Sequence, residues 1–270
     1  MLYSCTAPRA TDLFKEQMSQ LSLSPARRTL VVIGGLLVLF TWLYLVLARP
    51  TDWESVAGSS SALITLGGYV GGAVLLLAGS VPSLPARTIA VIPVALVLNI
   101  VVGEIVGAIG LPLYLDSVGT VLVAALAGPI AGLATGTLSS VVWGLINPAA
   151  LPFAASAAAT GWLAGLAVKS GAFKHWWSVI VSGAIIGIIT GAIAAPVAAF
   201  VYGGTAGVGT GAVVSLFREL GNSLLASVTM QSFISDPLDK AIVFLIVWAA
   251  LKALPKRTLA SLRPQPADAA

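Results

Sequence analysis

Gly110-Leu111-Pro112-Leu113-Tyr114-Leu115-Asp116-Ser117-Val118-Gly119-Thr120 sets one carboxylate between two long apolar runs. Pro112 stiffens the approach, and a Gly- and Pro-bearing segment, 128–136, follows. A polar knot of this kind is expensive in lipid and needs compensation by a partner, by water or by function. Two readings stand side by side. In one, the stretch is a loop at headgroup level and Asp116 caps the next helix. In the other, it belongs to a solute site at the outer mouth of a helix bundle.

Working outward from this stretch, the surroundings are those of a membrane protein. The chain is 58% hydrophobic and only 9% charged, where a soluble domain carries about a quarter charged residues. Its mean hydropathy is +1.00. A crossing needs about 20 mostly apolar residues, and 29–47, 62–81, 88–108 and 178–202 supply them. The apolar tract 118–168 is too long for one helix, and Pro129, Pro148 and Pro152 divide it into 118–127, 130–146 and 154–168. The first piece is short, so it is expected to be tilted, broken or sheltered by protein. Segment 241–254 becomes long enough when it begins near Asp236. The sequence therefore predicts eight membrane helices.

Basic residues orient the bundle. With the amino terminus inside, eleven lie on the cytoplasmic side: Arg9, Lys15, Arg27, Arg28, Arg87, Lys169, Lys174, Lys252, Lys256, Arg257 and Arg263. Arg49, Arg218 and Lys240 fall outside. Both termini are expected in the cytoplasm of a multi-pass protein of the cell (plasma) membrane. The net charge of +4 and the pI near 9.4 follow from these inside-facing residues. No basic stretch interleaved with aromatics points to nucleic acid.

Several chemistries find no residues here. The first 25 residues carry Asp12, Lys15 and Glu16 before any apolar run, unlike a secretory signal. Cys5 is the sole cysteine and His175 the sole histidine, so no Cys/His nucleophile or cysteine metal cluster is expected. His175, beside Lys174, Trp176 and Trp177, reads as a cytoplasmic interface belt. There is no G-x-x-x-x-G-K-[ST] phosphate loop. Gly207, Gly209 and Gly211 have the wrong spacing for a nucleotide loop and read as a flexible outer loop. Enzymatic activity is not expected.

Glycines recur every four residues at 128, 132 and 136 and at 183, 187 and 191, with shorter repeats at Gly103–Gly107 and Gly161–Gly165. Such small-xxx-small faces let helices approach closely in lipid. Intramembrane polar groups discriminate further. Asn99 lies near mid-depth and Glu104 nearer the outer end of 88–108, about 140° apart around a helix. Glu104 reads either as an uncharged structural acid or as part of a solute cavity, and the cavity is favoured. Trp143, Asn147, Pro148 and Phe153 mark a second outer turn, and Arg218, Glu219, Asn222, Ser235 and Asp236 a third. Aromatic and polar groups together suit a small, partly aromatic molecule. The candidate substrate-binding residues are Glu104, Asp116, Trp143, Asn147, Arg218 and Asp236. Trp143 offers a stacking surface, Asn147 donates and accepts, and the carboxylates and Arg218 orient polar ends of the solute.

From about residue 88 to residue 254 the chain resembles the substrate-binding S components of energy-coupling factor (ECF) vitamin transporters. The resemblance rests on L-P-L-Y-L-D-S-V-G-T at 111–120, A-L-A-G-P-I-A-G-L-A-T-G at 125–136, and S-D-P-L-D-K at 235–240, opening the last helix. It implies an all-α, polytopic membrane helix bundle. A six-helix S-component-like core (83–255) would follow two extra N-terminal transmembrane helices (29–82), between a cytoplasmic segment (1–28) and a polar tail (256–270). It also implies a subunit of an ABC-type importer that captures a vitamin, its precursor or a related micronutrient from outside. Delivery would need a transmembrane T component and two cytoplasmic ATPases, within membrane lipid. No cofactor is implied on this chain, since ATP is bound by the partner subunits. The family's site-covering loops correspond here to 110–117, 146–154 and 203–236. Family members dock the T component through alanines on core helix one, where Ala90 and Ala95 stand five apart rather than four. Two alternatives remain: a membrane sensor domain with a separate signalling partner, and a proton-coupled secondary transporter with Glu104 as proton carrier.

Overall fold

Proline and serine start most of the helices. The structure, a computed structural model, describes residues 23–50, 59–204 and 207–262. Expectations for Cys5, the charged residues before position 23, Arg263 and the end of the tail lie outside the described residues. Helix α1 (Pro25–Ala48) begins behind Ser24, whose hydroxyl accepts from the Arg27 N–H, with Pro25 in the first turn. Helix α2 (Ser60–Ser80) is capped by Ser59, which accepts from the Ala62 N–H at 3.2 Å. Helix α3 (Ala86–Ala108) follows Pro85. The short α4 (Val118–Ala127) meets α5 (Pro129–Gly144) at Gly128, whose φ of +89° is open to glycine and costly for other residues. A 3-10 turn, Pro148–Phe153, leads into α6 (Ala154–Lys169), and α7 (Trp176–Val201) comes next. Helices α8 (Val208–Glu219), α9 (Leu224–Ala253) and α10 (Lys256–Leu262) complete the described chain.

No strand occurs among the described residues, so the fold is all-helical. Each of the eight apolar segments is helical. Among the described residues, five stretches are long and apolar enough to cross a membrane: Pro25–Ala48, Ser60–Ser83, Ala86–Ala108, Pro148–Lys169 and Trp176–Val201. Two features depart from expectation. The segment 203–236 was read as an outer loop, but its glycines 207–211 lead into helix α8, and α9 starts at Leu224. The S-D-P-L-D-K motif, residues 235–240, therefore sits in the middle of α9 rather than at its start.

Short connections bring successive helices back against one another, and glycine decides how closely. A Cβ at Gly132 would strike the Gly161 carbonyl, and one at Gly136 the Ala157 carbonyl, so α5 and α6 touch backbone to backbone. Gly183 and Gly187 admit the α9 backbone at Lys240, Ala241 and Asp236 in the same manner. Helix α4 lies at the centre. Eight of its ten residues are buried, so a helix too short to cross is sheltered by α3, α5, α6 and α9.

The leading pair packs into the bundle. Val38, Leu45, Tyr69 and Leu76 share a buried cluster with Val141, Leu151, Ala158 and Val197. Trp42 Nε1 donates to the Ile193 carbonyl at 2.9 Å, and the Tyr69 hydroxyl to that of Pro152 at 3.3 Å. A second cluster, including Val121, Val179, Val243 and Phe244, joins α4, α7 and α9. Outward faces stay apolar, with Phe40, Leu63, Val94 and Ile185 all exposed. Of the two α3 alanines compared with the family's docking positions, Ala90 is exposed and Ala95 is buried against Gly119. They do not share one outward face.

Candidate functional site

Asn99 settles its own role first. It is fully buried, and its amide nitrogen donates to Thr120 Oγ1 at 2.8 Å and Ser139 Oγ at 3.1 Å. Its carbonyl accepts from the Gly119 N–H at 2.7 Å. One side chain thus fastens the first turn of α4 to α3 and α5, which fixes the loop preceding α4.

That loop, 109–117, turns back into the bundle. It has left-handed backbone at Gly110 and at Leu115, where φ is +50°. For a leucine this conformation is unfavourable and persists only where surrounding contacts hold it. The Tyr114 and Leu115 N–H groups supply the hold by donating to Asp239 Oδ1 at 2.9 and 2.6 Å. Asp239 is fully buried on α9, and its second oxygen accepts from Lys240 Nζ. Lys240 also reaches Asp116 Oδ1 at 3.4 Å. Asp236, one turn earlier on α9, is buried beside them.

These contacts change two sequence readings. Asp116 does not cap α4: Ser117 holds the N-cap position without a side-chain cap bond, and Asp116 turns to Lys240. Lys240 is no outer flank charge, because it is 6% exposed among carboxylates. Burying an ion costs several kcal/mol before pairing recovers it.

The second group sits on the rim. Trp143 Nε1 donates to Glu104 Oε1 at 2.7 Å, and the Asn147 amide reaches the same oxygen at 3.3 Å. Asn147 Oδ1 accepts from the Ala149 N–H, capping the 3-10 turn. Gly103 makes the arrangement possible: a Cβ there would enter the Trp143 ring and come within 3.2 Å of Asp116 Cβ. The indole and the Asp116 side chain are therefore neighbours. Glu104 itself is exposed and does not line the cavity expected for it. It orients the two side chains that do.

Between these groups lies a cavity of about 140 Å³. It is lined by the loop before α4, the start of α4 and of α6, the end of α5, the second half of α7 and the middle of α9. Space on the order of ten waters fits a small organic molecule. Its wall combines Tyr114, Trp143 and Phe153 with Asp116, Asp236 and Lys240, and with the hydroxyls of Ser117, Thr120, Ser139, Ser156 and Thr190. Phe153 is held by stacking on Tyr202 at 5.6 Å. The Ser117 hydroxyl is buried and unpaired.

Of the six predicted residues, Asp116, Trp143, Asn147 and Asp236 line this cavity, and Glu104 stands one hydrogen bond behind. Arg218 is exposed on α8 and is not part of the lining. Lys240 and Asp239 were missed. Their signal was present, since positions 236, 239 and 240 share a helix face by the i, i+3, i+4 rule. Comparison with known proteins returns no match: no family model, no curated protein and no solved structure resembles this chain at significance.

Proposed function

We propose that this chain is the membrane-embedded substrate-binding subunit of an ECF-type importer, with eight crossings and both termini in the cytoplasm. The observation that carries the reading is the cavity: polar, walled by aromatic rings, and lying in the half of the bundle away from Lys169, Lys174 and Trp176–Trp177. Positive-inside reasoning makes the 169–177 end cytoplasmic, so the cavity lies on the outer side. In this reading the solute is a vitamin, a precursor or a related micronutrient, held by Trp143, Asn147, Asp116 and Asp236. A separate T component and two ATPases supply the energy.

Reconstituted vesicles provide the test. Binding is expected with the chain alone, and accumulation against a gradient only with T component, ATPases and ATP. Accumulation by the chain alone overturns the assignment. The Asp116–Lys240–Asp239 group, with Lys240 and Asp239 buried, favours a second reading, a proton-coupled carrier, because ionisable clusters at membrane depth serve proton relays. Uptake without ATPases that collapses with the proton gradient would select it.

A further inference from the structure

We infer that the cavity is built for a small organic cation, an aromatic or quaternary ammonium compound. This names the solute class and rests on the binding-subunit reading above. Charge and geometry carry it together. Asp239 is fully occupied by two backbone N–H groups and Lys240, so it neutralises the lysine without facing a solute. Asp116 and Asp236 are left lining the cavity, and Lys240 is the sole basic residue of the lining. Counting the three aspartates against one lysine leaves a formal charge of −2. The Asp116 side chain remains 33% exposed, and its contact to Lys240 is the longer of the two lysine contacts. Buried carboxylates with surplus negative charge are stabilised by an incoming cation.

The ring beside Asp116 has matching chemistry. Trp143 meets Asp116 above Gly103, and its N–H is committed to Glu104. The ring is thereby anchored in the cavity wall, and an indole in the same wall as a carboxylate suits recognition of a cation. Ser117 adds an independent sign: its buried, partnerless hydroxyl belongs to the cavity wall and awaits a polar group. An organic occupant fits the aromatic wall of Tyr114, Trp143 and Phe153, and no group of three or more His, Cys, Asp or Glu side chains among the described residues is placed to hold a metal ion.

A matched set of one ring in three charge states isolates the claim: 1-methylnicotinamide (positive), nicotinamide (neutral) and nicotinate (negative), with thiamine as a larger cation. Equilibrium binding is measured at pH 7 by tryptophan fluorescence and calorimetry on protein in nanodiscs. Saturable binding is expected for 1-methylnicotinamide or thiamine, at least tenfold tighter than for nicotinamide and nicotinate. Trp143→Ala, Asp116→Asn and Asp236→Asn should each weaken it tenfold or more, whereas Arg218→Ala leaves it within twofold. Circular dichroism and gel filtration confirm that each variant is folded. If nicotinamide or nicotinate binds as tightly, with loss in Trp143→Ala but not in Asp116→Asn, the site stands and the cation inference falls. If no compound binds folded protein, or Trp143→Ala changes nothing, the cation inference falls together with the site.

Discussion

Lys240 shows how much one residue holds in this molecule. It is buried between Asp239 and Asp116, and Asp239 in turn pins the backbone of Tyr114 and Leu115. Lys240→Met fills the same volume but leaves Asp239 an unpaired buried charge. It should destabilise the protein by about 3–5 kcal/mol, read as a lower unfolding midpoint in detergent. Lys240→Met combined with Asp239→Asn should recover part of that loss, since the orphan charge is gone. Glu104 makes the contrasting case. It is exposed, so Glu104→Ala should barely change stability, within about 0.5 kcal/mol. Releasing Trp143 and Asn147 should nevertheless weaken solute binding, because two side chains of the cavity wall lose the carboxylate that orients them. Titration of wild type and variant with the same bound solute checks this. Unchanged affinity would make the Glu104–Trp143 bond irrelevant to the site.

At the scale of helices, glycine spacing governs close approach. The four-residue repeats visible in sequence at Gly132–Gly136 and Gly183–Gly187 do become backbone contacts, α5 to α6 and α7 to α9. Spacing alone does not say which glycines are in use, however. Gly107 belongs to the same pattern on α3, yet nothing lies within 4 Å of a Cβ there. Gly136→Leu should therefore cost about 1–3 kcal/mol or more by forcing α5 off α6. Gly107→Ala should be neutral or slightly stabilising. Thermal unfolding of the two variants in one detergent separates them, and equal stability would refute the packing role of Gly136. Helix α8 teaches a related lesson. Glycine-rich sequence around 207–211 reads as a flexible loop by propensity, but Gly209 fits tightly against Gly110 and Leu111. Tertiary contact with the 109–117 loop overrides local preference there.

For the whole molecule, the proposed orientation is directly measurable. In a Cys5→Ser background, single cysteines at Glu219 and Ser170, both exposed and on loops or helix ends at opposite ends of the bundle, are labelled in intact cells with an impermeant thiol reagent. Glu219→Cys should react and Ser170→Cys should not, and the reverse pattern would invert the topology.

Composition and hydropathy by themselves determined that the chain is helical and membrane-embedded, because lipid leaves no other way to satisfy a long apolar backbone. Sequence also singled out Asp116, Trp143, Asn147 and Asp236, since polar groups inside apolar tracts are conspicuous by their cost. The partners of those groups were decided by the tertiary structure alone. Asp116 and Lys240 are 124 positions apart, and Trp143 and Glu104 are 39 apart. Only the passage of α9 beside the 109–117 loop, and of α5 beside α3, makes them neighbours. Lys240 looked like an outer flank charge because hydropathy assigns each residue a depth from its immediate neighbours in the chain. Its burial depends on carboxylates contributed by a distant loop, which a sum along the sequence does not contain.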